Sequence, residues 1–204
     1  MTQTDTGARI PSIPSESTVR LAIEGDAAAR EELARSCQRA AFLFALQLVG
    51  QRDDALDLAQ EAVLRLFVSL RRLDSSRPVR PYLLRIVRNL VCDRARRSRV
   101  RPVQPLATSE DGLLLEPADP DLDPEARAAR REIQRLVWTV VQGLSAEHRE
   151  VIALRDYLDL SYDEIATTLK IARGTVMSRL HRARQQLRRR VKSRLEGGAE
   201  VSHA

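Results

Sequence analysis

Aromatic side chains are scarce in this 204-residue chain, at 3% of its residues. A core must then come from Leu, Val, Ile and Ala, which the 43% hydrophobic content supplies. These residues suit helices, and no β-branched run alternates with period two, so an all-α fold is expected. Cysteine is nearly absent: Cys37 and Cys92 lie far apart with no CxxC spacing. That argues against a disulfide framework and for reduced thiols in a cytoplasmic protein. His148, His181 and His203 are scattered without metal-ligand spacing. No nucleophile–base pair, phosphate loop or metal cluster is visible, so neither a cofactor nor an enzymatic activity is expected. No apolar run approaches ~18 residues, so no membrane span or insertion is expected. The N-terminus lacks a basic-then-apolar signal sequence.

What the chain does have is charge in blocks. From Ile171 to Leu195 there are nine Arg or Lys and no acid. A run of one sign seeks a polyanion. The residues before it explain its setting. Ser161 and Glu164 form a capping box that should start a helix. Ile165, Ala166 and Leu169 give that helix an apolar stripe. Ala172-Arg173-Gly174 should break it, with glycine supplying the turn. Val176, Leu180, Ala183, Leu187 and Val191 then step by four, three, four and four, one stripe of a second helix. Arg173, Thr175, Ser178, Arg179 and Arg182 lie on its other faces. This is the pattern of a helix-turn-helix whose second helix enters a major groove.

Upstream, Met1–Thr18 reads as a Ser/Thr-rich tail. A first helix is expected from about Val19 to Leu33, with an interruption near Gly25, and an apolar one from Gln38 to Val49, ended by Gly50. The next helix, Asp53–Leu73, places Asp57, Gln60, Glu61 and Leu64 together on one side. Taken alone, that side reads as an ordinary hydrated acidic face, and the residues by themselves do not make it a partner site. After a loop, Asp74–Pro81, a helix from Tyr82 to about Arg99 has Leu83, Ile86, Val87, Leu90 and Val91 inward. Arg85, Arg88, Asn89, Cys92 and Arg96 share its other side. Seven Arg against one acid between Arg85 and Arg101 make it a second basic helix.

Composition then changes. Pro102–Glu125 holds five prolines, seven acids and no Lys or Arg. Such a stretch builds no core and reads as a flexible linker. The expected division is a tail 1–18, a helical domain 19–100, a linker 101–125, a second helical domain 126–195 and a tail 196–204. The second domain should open with a helix from Ala126 to Gln142, with Ile133, Leu136, Val137, Val140 and Val141 inward and Trp138 in the core. Gly143 ends it, and Ser145 starts another helix through Leu158.

Three stretches carry a family resemblance: DALDLAQEAVLRLF at Asp54–Phe67, RPYLLRIVRNLVCDRARR at Arg80–Arg97, and LSAEHREVIALRDYLDLSYDEIATTLKIARGTVMSRLHRARQQL at Leu144–Leu187. In this combination the chain resembles a bacterial RNA polymerase sigma factor of the extracytoplasmic-function (ECF) group, in the sigma-70 family, with only regions 2 and 4. The resemblance implies a region 2 helical bundle and a region 4 helix-turn-helix. Asp57, Gln60, Glu61 and Leu64 would dock on the beta-prime coiled coil of core polymerase, with a further contact to the beta flap. The loop Asp74–Pro81 and the following helix would read and melt the −10 element of promoter DNA. There Asn89 would reach a base edge, and Arg85, Arg88 and Arg96 would hold phosphates. Arg173, Thr175, Ser178, Arg179 and Arg182 would read the −35 element. An anti-sigma factor is a further implied partner. Tyr82 stands where the group commonly has Trp, Ala172 where a serine often caps, and the usual aromatic near Ala29-Arg30 is missing. Two competing readings are a helix-turn-helix regulator that works without being a polymerase subunit, and a helical adaptor for acidic partners.

Overall fold

Four helices begin at a side-chain capping oxygen, from Ser15, Asp26, Ser145 and Ser161. The computed structural model describes residues 14–73, 78–100 and 123–201. The expected tails before residue 14 and after 201, the linker over 101–122 and the loop over 74–77 lie outside these residues. Helix α1 (Glu16–Glu24) starts inside the stretch read as tail, because Ser15 Oγ accepts from the Thr18 amide at 3.2 Å. It ends at Gly25, whose φ of 111° needs a residue without Cβ. Asp26 then caps α2 (Ala27–Val49), accepting from the Ala29 amide at 2.7 Å. The interruption expected near Gly25 is present, at 25–26, but the separation expected between 33 and 38 is not: α2 runs unbroken for 23 residues. Helix α3 (Arg52–Ser69) leads through a 3-10 turn (Leu70–Arg72) toward α4 (Val79–Val100).

Alanines do the close packing. Ala40, Ala41 and Ala45 of α2 and Ala55, Ala59 and Ala62 of α3 are all buried, and small side chains let two helix backbones approach. Phe44 is fully buried among them. Helices α1, α3 and α4 all pack on α2.

The second module opens with α5 (Pro124–Gln142), proline at its first position where no amide partner is needed. Helix α6 (Ala146–Ile152) is capped by Ser145 and continues into a π-helical turn (Ala153–Tyr157). Helix α7 (Tyr162–Leu169) begins at the capping box: the Glu164 amide donates to Ser161 Oγ at 3.3 Å, and the Ser161 amide to Glu164 Oε2 at 2.8 Å. Helix α8 (Arg173–Val201) runs past the expected end at residue 195 and spans about 43 Å.

Two expectations fail here. The α7–α8 turn is not made by glycine. Lys170 takes the left-handed conformation, φ 56° and ψ 47°, and the Ile171 amide donates back to the Ala166 carbonyl at 3.1 Å. Gly174 sits inside the first turn of α8 instead. Ile133 is 57% exposed rather than inward, and Leu136 and Val137 are half-buried. Only the last turns of α5, from Trp138, are well covered. A periodic stripe marks an apolar face but not how far a neighbour extends along it.

The modules touch. Helix α4 packs on α7, α2 packs on α6, and the buried side chains form one cluster from Val19 to Ala183.

Candidate nucleic-acid interface

Helix α8 offers an accessible polar face. Val176, Leu180 and Ala183 are buried on its inner side. Steps of four, three and four from Gly174 lead through Ser178 and His181 to Gln185, all exposed on the opposite side. Arg173 and Arg182 are exposed beside them. Thr175 and Arg179 are half-buried on one flank. Arg179 bonds Glu147 of α6 at 3.2 Å, and Arg173 faces Asp163 of α7 at 3.4 Å. Ser178 Oγ donates to the Thr175 carbonyl at 3.1 Å. The five sequence-derived residues thus share one end of α8, with Thr175 and Arg179 less accessible than expected. Sequence reasoning passed over Met177, 52% exposed, and His181. Their signal was present: an apolar residue off the inner stripe, and a position one turn after Met177. Arg184 is tied to Asp156, whose hydrogen bond holds the guanidinium pKa above its usual range.

Gly174 adds a telling absence. A Cβ built there meets nothing within 4 Å. As the second residue of α8, Gly174 escapes the full cost of about 1 kcal/mol that glycine carries against alanine in a helix interior. The open side leaves the backbone there accessible to close approach.

Helix α4 treats its candidates unequally. Asn89 is exposed, and Arg96 is exposed and paired with Asp93 at 3.0 Å. Arg94, Arg96 and Arg97 extend the basic end, with Arg94 tied to Asp54 of α3. Arg85 is half-buried over the Tyr82 ring, 5.9 Å from its centroid. Arg88 is half-buried, its side chain 33% exposed, and its Nε donates to Glu150 Oε1 of α6 at 2.6 Å. Burial pushes the Arg88 pKa down, but the Glu150 hydrogen bond and charge outweigh this and hold it above its usual range. Arg80, one helix turn from Leu84, donates to the Leu158 carbonyl, and burial lowers its pKa against the pull of Glu164 and Asp159.

A third surface lies on α3. Asp57, Gln60, Glu61 and Leu64 are all exposed on one side. Glu61 pairs with Arg65 at 2.7 Å. Val68, not singled out from sequence, continues this side at 87% exposure, one turn beyond Leu64 at 63%. Two large apolar side chains in water beside a carboxylate pair are more than hydration requires.

Among the described residues no helix is long and apolar enough to cross a membrane, and no three His, Cys, Asp or Glu side chains gather as a metal site.

Comparison with known proteins agrees with this layout. The profile of Sigma-70 region 2 matches residues 33–101, and that of Sigma-70, region 4 matches residues 134–187. The ECF RNA polymerase sigma factor SigL of Mycobacterium tuberculosis is 37% identical over 171 residues, covering 81% of this chain and 93% of the relative. SigW of Bacillus subtilis is 31% identical over 150 residues, covering 72% and 80%. Among solved structures, the sigma factor RpoE of Bartonella quintana, in complex with the anti-sigma factor NepR, superposes with a TM-score of 0.60 at 25% identity, over 80% of this chain and 96% of that one. CnrH, in complex with the cytosolic domain of CnrY, shares the fold with a TM-score of 0.63 at 24% identity, over 87% and 97%. A chain with both matched regions in this order, built of helices in its described residues and covering 80–93% of these two curated relatives, belongs to the ECF group of sigma-70 family sigma factors, non-catalytic subunits that direct RNA polymerase to promoters.

Proposed function

We propose that each of the three surfaces has its own partner. The α3 side with Asp57, Gln60, Glu61, Leu64 and Val68 docks on the beta-prime coiled coil of core polymerase, and the second module meets the beta flap. Helix α4 engages the −10 element: Asn89 reaches a base edge, while Arg85, Arg88 and Arg96 hold backbone phosphates. Helix α8 enters the major groove of the −35 element. Arg173 and Arg182 face its phosphates, and Ser178, Met177 and His181 face base edges. An apolar Met177 suits a thymine methyl group, and Gly174 lets the helix approach closely. An anti-sigma factor is the natural inhibitor, in keeping with the partner of the Bartonella neighbour, and the chain works in the cytoplasm.

Two weak grips on one tether gain through effective concentration. The two elements lie about 25 base pairs apart by their names, roughly 85 Å at ~3.4 Å per pair. The 23 residue steps from Val100 to Asp123 can extend to at most about 80 Å, so the tether and the modules' own width can cover that span. The observation that carries the reading is the exposed polar face of α8, open at Gly174, opposite the buried stripe of Val176, Leu180 and Ala183. Run-off transcription with core polymerase on a pool of genomic fragments tests it. Transcripts should arise from a promoter subset only when the chain is added. An unchanged transcript set removes the reading. A regulator that works without polymerase would instead select the same DNA alone.

A further inference from the structure

We propose that the cavity between the end of α5 and the C-terminal half of α8 binds a compact oligophosphate. It lies apart from the three surfaces already described.

Charge is the first support. The cavity has a volume of about 520 Å³, a usual size for a small-molecule site. Such sites are mostly apolar, but this one is cationic. Arg189, Arg190 and Arg194 line it, and among the described residues no carboxylate does. Elsewhere α8 offsets its charges: Arg173, Arg179, Arg184 and Lys192 each face an acid. Arg190 and Arg194 stand one turn apart, a spacing at which like charges repel. Arg189 adds a third charge to the same space. A multivalent anion turns that repulsion into attraction.

Geometry narrows the ligand. Arg190 Nη1 donates to the Gly143 carbonyl at 2.6 Å, which fixes the guanidinium against the end of α5. Gly143 has φ −79°, so its backbone does not require glycine. Space does: a Cβ there would stand 3.0 Å from Arg190 Nη1. Guanidinium forks match phosphate oxygens two at a time. Neutral groups complete the lining. Gln186 Oε1 sits 3.1 Å from His148 Nδ1, which leaves the Gln186 NH2 group to donate, and Ser193 adds a hydroxyl. An acidic peptide would want an apolar anchor, and the only large apolar side chain in the lining is Val140, 5% exposed.

The cavity also avoids the side of α8 that faces the major groove. Gln186, Arg190 and Ser193 lie roughly 120° around the helix from the line through Ser178 and Gln185. Arg190 is about 18 Å along the axis from Ser178.

The test is calorimetric titration of the full chain with sodium tripolyphosphate at physiological salt. One site per chain is expected. Arg189→Ala with Arg194→Ala should weaken it roughly a hundredfold, from the loss of two charged hydrogen-bond donors. Arg188→Ala with Lys192→Ala removes equal charge outside the cavity and should change affinity far less. Equal losses from the two pairs would mean bulk attraction and overturn the site, as would the lack of saturable binding. Far-UV dichroism checks that each variant is folded. Should the cavity pair unfold, Gly143→Ala takes its place: it displaces only the end of the Arg190 side chain, and wild-type affinity in it overturns the site. Tetraglutamate should bind much more weakly than tripolyphosphate; equal affinity would give the cavity to an acidic peptide instead. DNA is the other source of phosphate, so random-sequence duplex is titrated into both pairs. A larger loss of duplex binding in the cavity pair would make this a DNA contact and overturn the proposal.

Discussion

Replacing Leu64 and Val68 together by alanine should weaken binding to core polymerase and leave the fold intact. Leu64→Ala removes three carbon atoms, each worth about 0.8 kcal/mol when taken from water. Leu64 is 63% exposed, so complete coverage by a partner would recover about 1.5 kcal/mol of that. Val68→Ala removes two carbons at 87% exposure, about 1.4 kcal/mol on the same scale. The ceiling for the pair is near 3 kcal/mol, roughly 150-fold in Kd. Interface edges stay wet, so a loss of about 10- to 50-fold is expected. The folded state loses nothing comparable, since exposed substitutions usually change stability by less than about 0.5 kcal/mol. The assay is titration of the fluorescently labelled chain with core polymerase, beside a thermal melt. A loss far above the ceiling together with a lowered melting temperature would mean damage to the fold. Wild-type affinity with an unchanged melt would refute the reasoning and return this side of α3 to hydrated surface. Charge reversal by Asp57→Arg with Glu61→Arg probes the same side and should block assembly without unfolding the chain.

Two further outcomes follow from single side chains. Arg182→Ala should weaken −35 duplex binding several-fold and reduce the salt slope of log K by about one, the signature of one lost phosphate contact; Arg179→Ala, already tied to Glu147, should do less, and an equal effect would place both in the groove. Burial pushes the Cys37 thiol up to about 12, so at pH 8 it should resist a thiol reagent that modifies half-buried Cys92, whereas equal rates would show that α2 opens on that timescale.

Local signals were legible in the chain and relational ones were not. The capping box at Ser161 and Glu164 could be read because both partners lie within one turn, and the structure forms it as expected. The stripe of Val176, Leu180 and Ala183 could be read because helical period and burial coincide there. Gly174 drew attention away from Lys170, since glycine is the usual left-handed residue and lysine is not; the packing of Ile171 after the turn overrides that preference. Ile133 was misjudged because periodicity carries no information about where a neighbouring helix stops. Arg88 looked like its neighbours on α4, and nothing within the sequence linked it to Glu150, 62 positions away. Val68 was overlooked because the acidic residues before it defined the face more visibly.

The single tryptophan has a practical consequence. Trp138 is 6% exposed and lies in α5, whereas the first module contains only Phe and Tyr rings. Indole emission therefore watches one half of the molecule, while far-UV ellipticity watches both. Curves that coincide on heating would mean the halves melt as a single unit. Curves that part would give each half its own midpoint, and the gap between them would gauge how much one steadies the other.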